Sequence, residues 1–286
     1  VGGNANITSD LDVGGNVTVQ LNGSNFILHK FEDTNVVDAP SITNFGRMVY
    51  DGNNTFYVIG GFTVNSQPTS SIRTYTLSTN VWSDINTQVP NEVYGHTTEY
   101  YKNAIYMFGG WNNSTNYNSL SKLNLSTLDW ETVEAGNKPS ARRYHSSTIH
   151  GSKLFIFGGG FNGGNLNDLW EIDLDNPTSW VQLHNGNDNA PSKRYSSTIE
   201  YYNNSLFIFG GYDSDGEQND LWRFDLSNKG WHKINTTNGP EAGRLYGSSI
   251  INHYMYVHGG KTDDTTSINK LYQLNLVTYE WTELTS

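Results

Sequence analysis

Four arginines are the residues most suited to binding an anion. Arg142, Arg194 and Arg244 recur at steps of about 50 residues, and Arg47 lies about two such steps before Arg142. A guanidinium group presents paired N–H donors that match the two oxygens of a carboxylate. The alternative for each is a structural hydrogen bond to a loop carbonyl. We predict that these four arginines bind ligand.

A second group of residues, in YDSDGEQND, is acidic. Asp213, Asp215, Glu217 and Asp220 supply the hard oxygen ligands that calcium prefers. The run lacks the third acid before its glycine and the distal glutamate of a calcium hand, so a solvated loop is the simpler interpretation. We predict no metal and no other cofactor, and this run is the candidate if calcium binds.

Other chemistry has little support in the sequence. The chain has no cysteine, no histidine pair at zinc spacing, no nucleophile elbow and no phosphate loop. Its net charge of -11 argues against nucleic acid, which is usually met by a basic surface. Its apolar runs are far shorter than the roughly 20 residues that cross a bilayer. We therefore predict a protein that is not an enzyme, binds no nucleic acid and has no membrane span.

The asparagine content bears on location. The chain has 36 Asn against 10 Lys, which favours an uncharged polar surface of the kind found outside cells. Nine Asn-x-Ser/Thr sequons are present, and candidate glycosylation sites are Asn53, Asn112, Asn113, Asn124, Asn203 and Asn235. The expected location is extracellular, on a cell or virion surface, with the cytoplasm as the alternative.

Two markers recur along the chain with one period. Glycine pairs begin at Gly60, Gly109, Gly158, Gly210 and Gly259, in steps of 49, 49, 52 and 49 residues. A tryptophan follows each pair, at Trp82, Trp130, Trp180, Trp231 and Trp281. A period near 50 residues indicates a repeat architecture.

One repeat can be divided into four strands. Within residues 142–192, RRYHSSTI, KLFIFGG, NDLWEIDL and SWVQL each have strand length, and the second is apolar at almost every position. Four such strands cannot cover both faces of their own sheet, whereas a ring of sheets can, which predicts a β-propeller. Glycine is expected where the second strand ends near the axis, and tryptophan between successive sheets.

These repeats resemble the Kelch family: four apolar residues, Gly-Gly, a third strand with an aromatic or aliphatic centre, then Trp. The family pattern also places Arg a few residues before His or Ser, as in Arg142 with His145 and Arg194 with Ser197. Arg47 and Arg244 are assigned to similar places, whereas Val93 departs from the pattern ahead of His96. Both histidines are expected to hydrogen-bond within the first strands rather than to bind metal.

The resemblance covers residues 47–286 and implies successive blades at 47–92, 93–141, 142–192, 193–243 and 244–286. Residues 1–46 look like a degenerate first blade, and the fold class is therefore an all-β Kelch-type propeller of six four-stranded blades. An alternative is that residues 1–22 form a stalk or assembly segment, since VGGN recurs there as in fibre repeats.

In this family the loops joining strands two to three and four to one open on one face, where partners usually bind. The first of these loops begins after each glycine pair, with Phe62, Trp111, Phe161 and Tyr212, and we predict ligand contact for the last three of these aromatics. The predicted function is non-catalytic binding of a protein or glycan on this face. Alternatives are an extracellular adhesive or fibre protein that assembles through its N-terminal segment, and a carbohydrate-active enzyme of the sialate-epimerase-like kind.

Overall fold

The protein is built from antiparallel β-sheets. The computed structural model describes residues 46–62, 67–187 and 189–284, together with the backbone of three short N-terminal strands. Five sheets have four strands each, one has three, and a small hairpin accompanies the fourth blade. No helix in the described part of the chain is long and apolar enough to cross a bilayer.

The strands follow one another along the chain, and each four-stranded sheet is one blade. The N-terminal sheet contains β1 (Ala5–Thr8), β2 (Val17–Leu21) and β3 (Ser24–Leu28). Blade one contains β4 (Arg47–Tyr50), β5 (Thr55–Ile59), β6 (Ile72–Thr76) and β7 (Val81–Asp84). Blade two contains β8 (Thr97–Tyr101), β9 (Ala104–Phe108), β10 (Leu120–Asn124) and β11 (Trp130–Thr132).

The remaining three blades repeat the same order. Blade three contains β12 (Ser146–His150), β13 (Lys153–Phe161), β14 (Gly164–Asp173) and β15 (Val181–His184). Blade four contains β16 (Thr198–Tyr202), β17 (Ser205–Phe209), the hairpin strands β18 (Tyr212–Asp213) and β19 (Gly216–Glu217), β20 (Leu221–Asp225) and β21 (Gly230–Ile234). Blade five contains β22 (Arg244–Ile251), β23 (Tyr254–Lys261), β24 (Leu271–Asn275) and β25 (Trp281–Glu283).

The prediction of six four-stranded blades is wrong for the described structure, which is a five-bladed propeller with a three-stranded N-terminal sheet. The N-terminal segment has no tryptophan, and its two glycine pairs, Gly2–Gly3 and Gly14–Gly15, both precede β2 rather than following a second strand. It therefore lacks both of the markers that shape the other blades. The side chains of residues 1–22, on which the stalk alternative depends, lie outside the described residues.

The apolar second strands form the core between blades. Every residue of β9 and of β17 is buried. The tryptophan of one blade packs against the phenylalanine that precedes the glycine pair of the blade before it: Trp180 lies 5.1 Å from Phe108 between ring centres, and Trp281 lies 5.0 Å from Phe209. The predicted place of tryptophan between successive sheets is confirmed.

Gly158 illustrates why each second strand ends in glycine. Its φ is +59°, and a Cβ there would lie 2.7 Å from the carbonyl oxygen of Arg194 in the next blade. The next glycine, Gly159, donates its N–H to that same carbonyl at 2.9 Å. Close backbone approach between blades and a left-handed conformation thus both require glycine.

Backbone hydrogen bonds also link the blades at the mouth of the central channel. Tyr144 N–H donates to Gly95 O at 2.7 Å, Ser196 N–H to Tyr144 O at 2.7 Å, and Leu245 N–H to Ser196 O at 3.0 Å. All four residues have positive φ, between 54° and 67°. We call this set, Gly95, Tyr144, Ser196 and Leu245, the mouth ring. It fixes the spacing of the loops that begin each inner strand.

Candidate functional site

Arg142 and Arg194 are structural in this fold. Both guanidinium groups are buried, with 0% and 1% of their surfaces exposed. Arg142 forms two hydrogen bonds of 2.8 Å to the carboxylate of Asp168 and one of 3.0 Å to the carbonyl of Gly158. Arg194 repeats this arrangement with Asp220 and Gly210. The structure argues against direct ligand binding by either arginine, because their donors are used within the protein.

Arg244 and Arg47 do not occupy the same places as these two. Gly211 N–H donates to Gly243 O just as Gly110 N–H donates to Arg142 O, so Gly243, not Arg244, corresponds to Arg142. In blade one, Arg47 pairs with Ile59, the residue before the glycine pair, as Thr97 pairs with Phe108 in blade two. The assignment of Arg244 to that place was one residue out, and that of Arg47 was four residues out.

Arg244 therefore reaches the loop face. Its guanidinium carbon lies 4.8 Å from the centre of the Tyr212 ring, and its nitrogens pair with Glu217 at 3.3 Å and with Asp264. Two carboxylates already neutralise this arginine. Arg244 thus contributes a guanidinium plane that is stacked on an aromatic ring, and not an unpaired positive charge.

An aromatic belt runs across the loop face through successive blades. Tyr94 lies 5.5 Å from Trp111 and 6.2 Å from Tyr144, and Tyr144 lies 6.0 Å from Tyr195, between ring centres. We define the belt as Phe62, Tyr94, Trp111, Tyr144, Tyr195 and Tyr212. Three members, Phe62, Trp111 and Tyr212, follow a glycine pair, and the other three lie in loops before inner strands. Three of the four aromatics expected on this face, Phe62, Trp111 and Tyr212, therefore belong to one connected set of ring contacts, which is joined through the buried Tyr94.

Arg143 lies over the centre of this belt. Its guanidinium carbon is 3.8 Å from the centre of the Trp111 ring, and it donates a long hydrogen bond of 3.4 Å to the side chain of Asn116. Among the described residues, no carboxylate pairs with Arg143, which is half-buried. The indole N–H of Trp111 is buried and also has no partner in the described part of the chain. Arg143 thus presents unused donors on an aromatic surface, and the unpaired N–H of Trp111 lies buried beneath it.

Phe161 stands apart from the belt. It lies at the tip of the β13–β14 hairpin, where 38% of its surface is exposed. Blade three carries a third glycine, Gly160, at the place held by Trp111 in blade two, so its aromatic is moved one residue outward. Phe161 is the most exposed of the predicted aromatic contacts.

The acidic run of blade four does not form a cation site. Asp213 accepts hydrogen bonds from Ser192, from the backbone of Asp215 and from Gln218. Glu217 pairs with Arg244, and Asp220 holds Arg194. Among the described residues, no three acidic or histidine side chains are grouped as a metal would require. In this structure the carboxylates of the candidate calcium run serve separate partners, and calcium binding there stays a prediction.

A second polar surface lines the central channel, formed by the inner strands β4, β8, β12, β16 and β22. The channel holds a cavity of about 400 Å³. Glu99 accepts a hydrogen bond of 2.7 Å from Ser147 in the next blade, and Glu200 accepts one of 2.7 Å from Ser248 in the same way. Burial raises the pKa of each carboxyl to about 7, and for Glu99 the nearby Glu200 adds to this effect. The sequence analysis did not identify either glutamate.

The two predicted first-strand histidines are neutral. His145 lies 2.9 Å from the hydroxyl of Thr97, so its hydrogen bond joins two blades rather than staying within one. Burial first, and then Arg142, hold the pKa of His145 well below its usual value. Burial lowers the pKa of His96 to about 3. Neither imidazole has a charge to offer at neutral pH.

The candidate glycosylation sites differ in exposure. Asn53, Asn113, Asn124, Asn203 and Asn235 are exposed, whereas Asn112 is half-buried and donates to the Tyr117 hydroxyl at 2.8 Å. Glycosylation stays a prediction at these sites.

Comparison with known proteins agrees with the geometry of the blades. The family model described as the KLHDC2/KLHL20/DRC7 Kelch-repeats domain matches residues 29–158 and 122–286. Tip elongation aberrant protein 1 of Schizosaccharomyces pombe is 30% identical over 64% of this chain and 17% of its own length. Kelch domain-containing protein 10 of Bos taurus is 24% identical over 86% of this chain and 61% of its own.

A third relative, Kelch domain-containing protein 10 of Xenopus tropicalis, is 26% identical over 63% of this chain and 46% of its own length. The chain thus spans less than two thirds of each of these relatives. What they share with it is the repeat that builds the blades. By its five glycine-paired blades and by the match that extends from residue 29 to residue 286, the chain belongs to the Kelch-repeat family.

Proposed function

We propose that the protein is a non-catalytic binding module whose loop face binds an acidic segment of a protein partner. The observation that carries this proposal is Arg143 lying on Trp111 with no carboxylate partner among the described residues. Aromatic and arginine side chains dominate the energetics of protein interfaces. A partner's carboxylate would complete the hydrogen bonds that Arg143 has left unmade.

The aromatic belt supports an extended partner rather than a compact one. It continues from Phe62 in blade one to Tyr212 in blade four, so one partner segment could contact several blades in turn. Burial raises the pKa of Tyr144 to about 12, so its hydroxyl remains protonated at neutral pH and adds no negative charge to this surface. Arg244 and Phe161 would lie at the edges of the contact.

The other predicted arginines have different parts in this proposal. Arg142 and Arg194 would support the face from beneath without touching the partner, because they are buried. Arg47 lies lower, on the channel wall. In this proposal Arg143, which was not among the four arginines predicted from the sequence, makes the central contact.

The relatives favour the cytoplasmic alternative over an extracellular location. One of them is named leucine-zipper-like transcriptional regulator 1 homolog, of Drosophila melanogaster, and regulation of transcription takes place inside cells. Binding of a glycan, self-assembly and catalysis stay predictions without support from these comparisons.

The test is selection of peptides from a displayed random library on the wild-type protein, followed by measurement of their affinities by fluorescence anisotropy. We expect the selected peptides to contain Asp or Glu. We also expect Arg143→Ala to lower their affinity by about tenfold or more. Arg223→Ala is the matched control, because it removes the same charge from an outer strand of blade four. Peptides that bind Arg143→Ala as tightly as wild type would refute the proposal.

A further inference from the structure

The tip of the β13–β14 hairpin carries an Asn-Gly dipeptide, Asn162 with Gly163. Phe161 and Gly164 pair across the two strands, so the dipeptide forms the whole of the turn. Both of its residues are exposed, and the backbone N–H of Gly163 has no hydrogen-bond partner among the described residues. The side-chain amide and the peptide nitrogen that follows it are therefore both open to water.

An asparagine that precedes glycine can lose ammonia without an enzyme. The peptide nitrogen of Gly163 attacks the side-chain carbonyl carbon of Asn162 and forms a new C–N bond. The C–N bond to the amide group then breaks, and ammonia leaves with the peptide proton. Water adds to one carbonyl of the resulting succinimide ring, which opens to aspartate or isoaspartate. Water is the one co-reactant, and glycine favours the attack because it has no side chain in the way.

Another Asn-Gly dipeptide of the same blade is held more firmly. Asn185 is half-buried, and the N–H of Gly186 donates to Nδ1 of His184 at 3.0 Å. A Cβ on Gly186 would lie 2.0 Å from the side-chain oxygen of Asn167, so this turn packs closely against its own blade. The same two residue types thus occur once with an unbonded peptide nitrogen and once with a bonded one.

Asn162 is linked to Arg143 through one amide group. Asn116 of blade two donates its Nδ2–H to the side-chain oxygen of Asn162 at 3.2 Å, and its own oxygen accepts the 3.4 Å hydrogen bond from Arg143. No carboxylate pairs with Arg143 in the part of the chain that the structure describes. A carboxylate at position 162 would face this charge across a single side chain, at a separation comparable with the screening length of roughly 8 Å.

We propose that Asn162 is a site of spontaneous deamidation, and that the carboxylate formed there becomes an intramolecular partner of Arg143. A modification that changes charge acts through the same electrostatics as any other charged group. Isoaspartate would also lengthen the backbone beneath Phe161, whose ring lies so close to Gly163 that a Cβ there would be 2.2 Å from it. One consequence rests on the function proposed above: the modified loop face should bind acidic segments less tightly.

The first measurement is mass spectrometry of the whole protein after prolonged incubation at mildly alkaline pH. Tryptic cleavage after Lys153 and Lys193 gives one peptide that contains both Asn162 and Asn185, so the two sites are compared directly. We expect conversion of amide to acid severalfold faster at Asn162 than at Asn185. The difference should vanish when the protein is incubated unfolded in urea. Equal rates at the two sites in the folded protein would refute the deamidation site.

The second measurement is urea unfolding of Asn162→Asp, which reproduces the aspartate product. Its effect on the folding equilibrium constant should be about two- to fivefold more favourable with Arg143 present than in Arg143→Ala. The control is Asn203→Asp, which adds the same charge in the turn between β16 and β17. Its effect should be the same in both backgrounds. An effect of Asn162→Asp that does not depend on Arg143 would refute the pairing.

The third measurement separates this proposal from the function on which its consequence rests. Acidic peptides selected on the wild-type protein should bind Asn162→Asp about two- to fivefold less tightly, and Asn203→Asp as tightly as wild type. Equal affinities for all three proteins would refute the effect on binding. A failure to select any acidic peptide would refute the proposed function alone, since mass spectrometry and unfolding decide the modification without a partner.

Discussion

Arg143 of blade three stacks on Trp111 of blade two, with 3.8 Å between the guanidinium carbon and the ring centre. The contact crosses a blade boundary and places a positive group on the aromatic belt. It therefore ties the proposed binding surface to the packing of two neighbouring blades.

This stack should be measurable as an energetic coupling. We expect a double-mutant cycle of Arg143→Ala and Trp111→Leu in urea unfolding to give about 0.5–1 kcal/mol. The control cycle is Lys233→Ala with Trp222→Leu, whose partners are 5.7 Å apart within one blade, and it should give less. Equal couplings in the two cycles would show that the Arg143 contact is incidental.

The buried Arg142 should matter more for stability than any exposed arginine. Arg142→Ala leaves the carboxylate of Asp168 without its bidentate partner, which should lower the free energy of unfolding by about 3–5 kcal/mol. Arg223→Ala, at a longer and partly exposed ion pair, should cost less than about 1 kcal/mol. Similar midpoints in denaturant for the two variants would contradict the structural role of Arg142.

The channel glutamates should make stability depend on pH. Their pKa is raised from 4.5 to about 7 on folding, so the folded protein holds these protons more tightly than the unfolded chain does. Their contribution to stability is complete below about pH 4.5 and is lost as pH rises toward 7. Glutamine does not titrate, so Glu200→Gln should become more stable relative to wild type between about pH 5 and 8. Thermal melts across this range measure the difference, which Glu134→Gln, at an exposed acid outside the channel, should not show.

Two glycines with the same φ allow the cost of a left-handed backbone to be measured separately from the cost of a steric clash between blades. Gly158 and Gly151 both have a φ of +59°, but a Cβ meets nothing within 4 Å at Gly151 and a backbone oxygen at 2.7 Å at Gly158. Gly151→Ala should cost about 1–2 kcal/mol from its left-handed conformation alone. Gly158→Ala should cost clearly more, or prevent folding. Equal costs in chemical denaturation would mean that the blades can separate freely at this point.

Much of the fold could be predicted because its markers are independent. Sterics require the glycine pairs, and packing requires the tryptophans, so one period appears twice in the sequence. The number of blades was harder to predict. Pattern alone could not decide how a segment such as residues 1–46, which lacks these markers, would pair its strands.

The binding surface was predicted less well because register at the loops is decided by single residues. In the dipeptide formed by Arg142 and Arg143, the first arginine is buried against Asp168 and the second reaches the face. The family pattern pointed to the first. The acid that holds Arg142 lies 26 positions away and carries no local signal. The two channel glutamates, which are about 100 residues apart in the sequence, line one cavity only because the blades close around the axis.

The mouth ring and the glycine pairs bond in opposite directions. In the ring, blades three, four and five each donate to the blade before, whereas the second glycine of each of the first four pairs donates to the blade after it. While the chain leaves the ribosome, each newly made blade therefore holds a backbone N–H whose acceptor has not yet been synthesised. When the next blade folds, it supplies that acceptor, and its own mouth-ring N–H bonds to the free carbonyl of the blade before it. Growth of the propeller by one blade thus moves a single unfinished edge forward, and that edge is where a stalled chain would be open to proteases and chaperones.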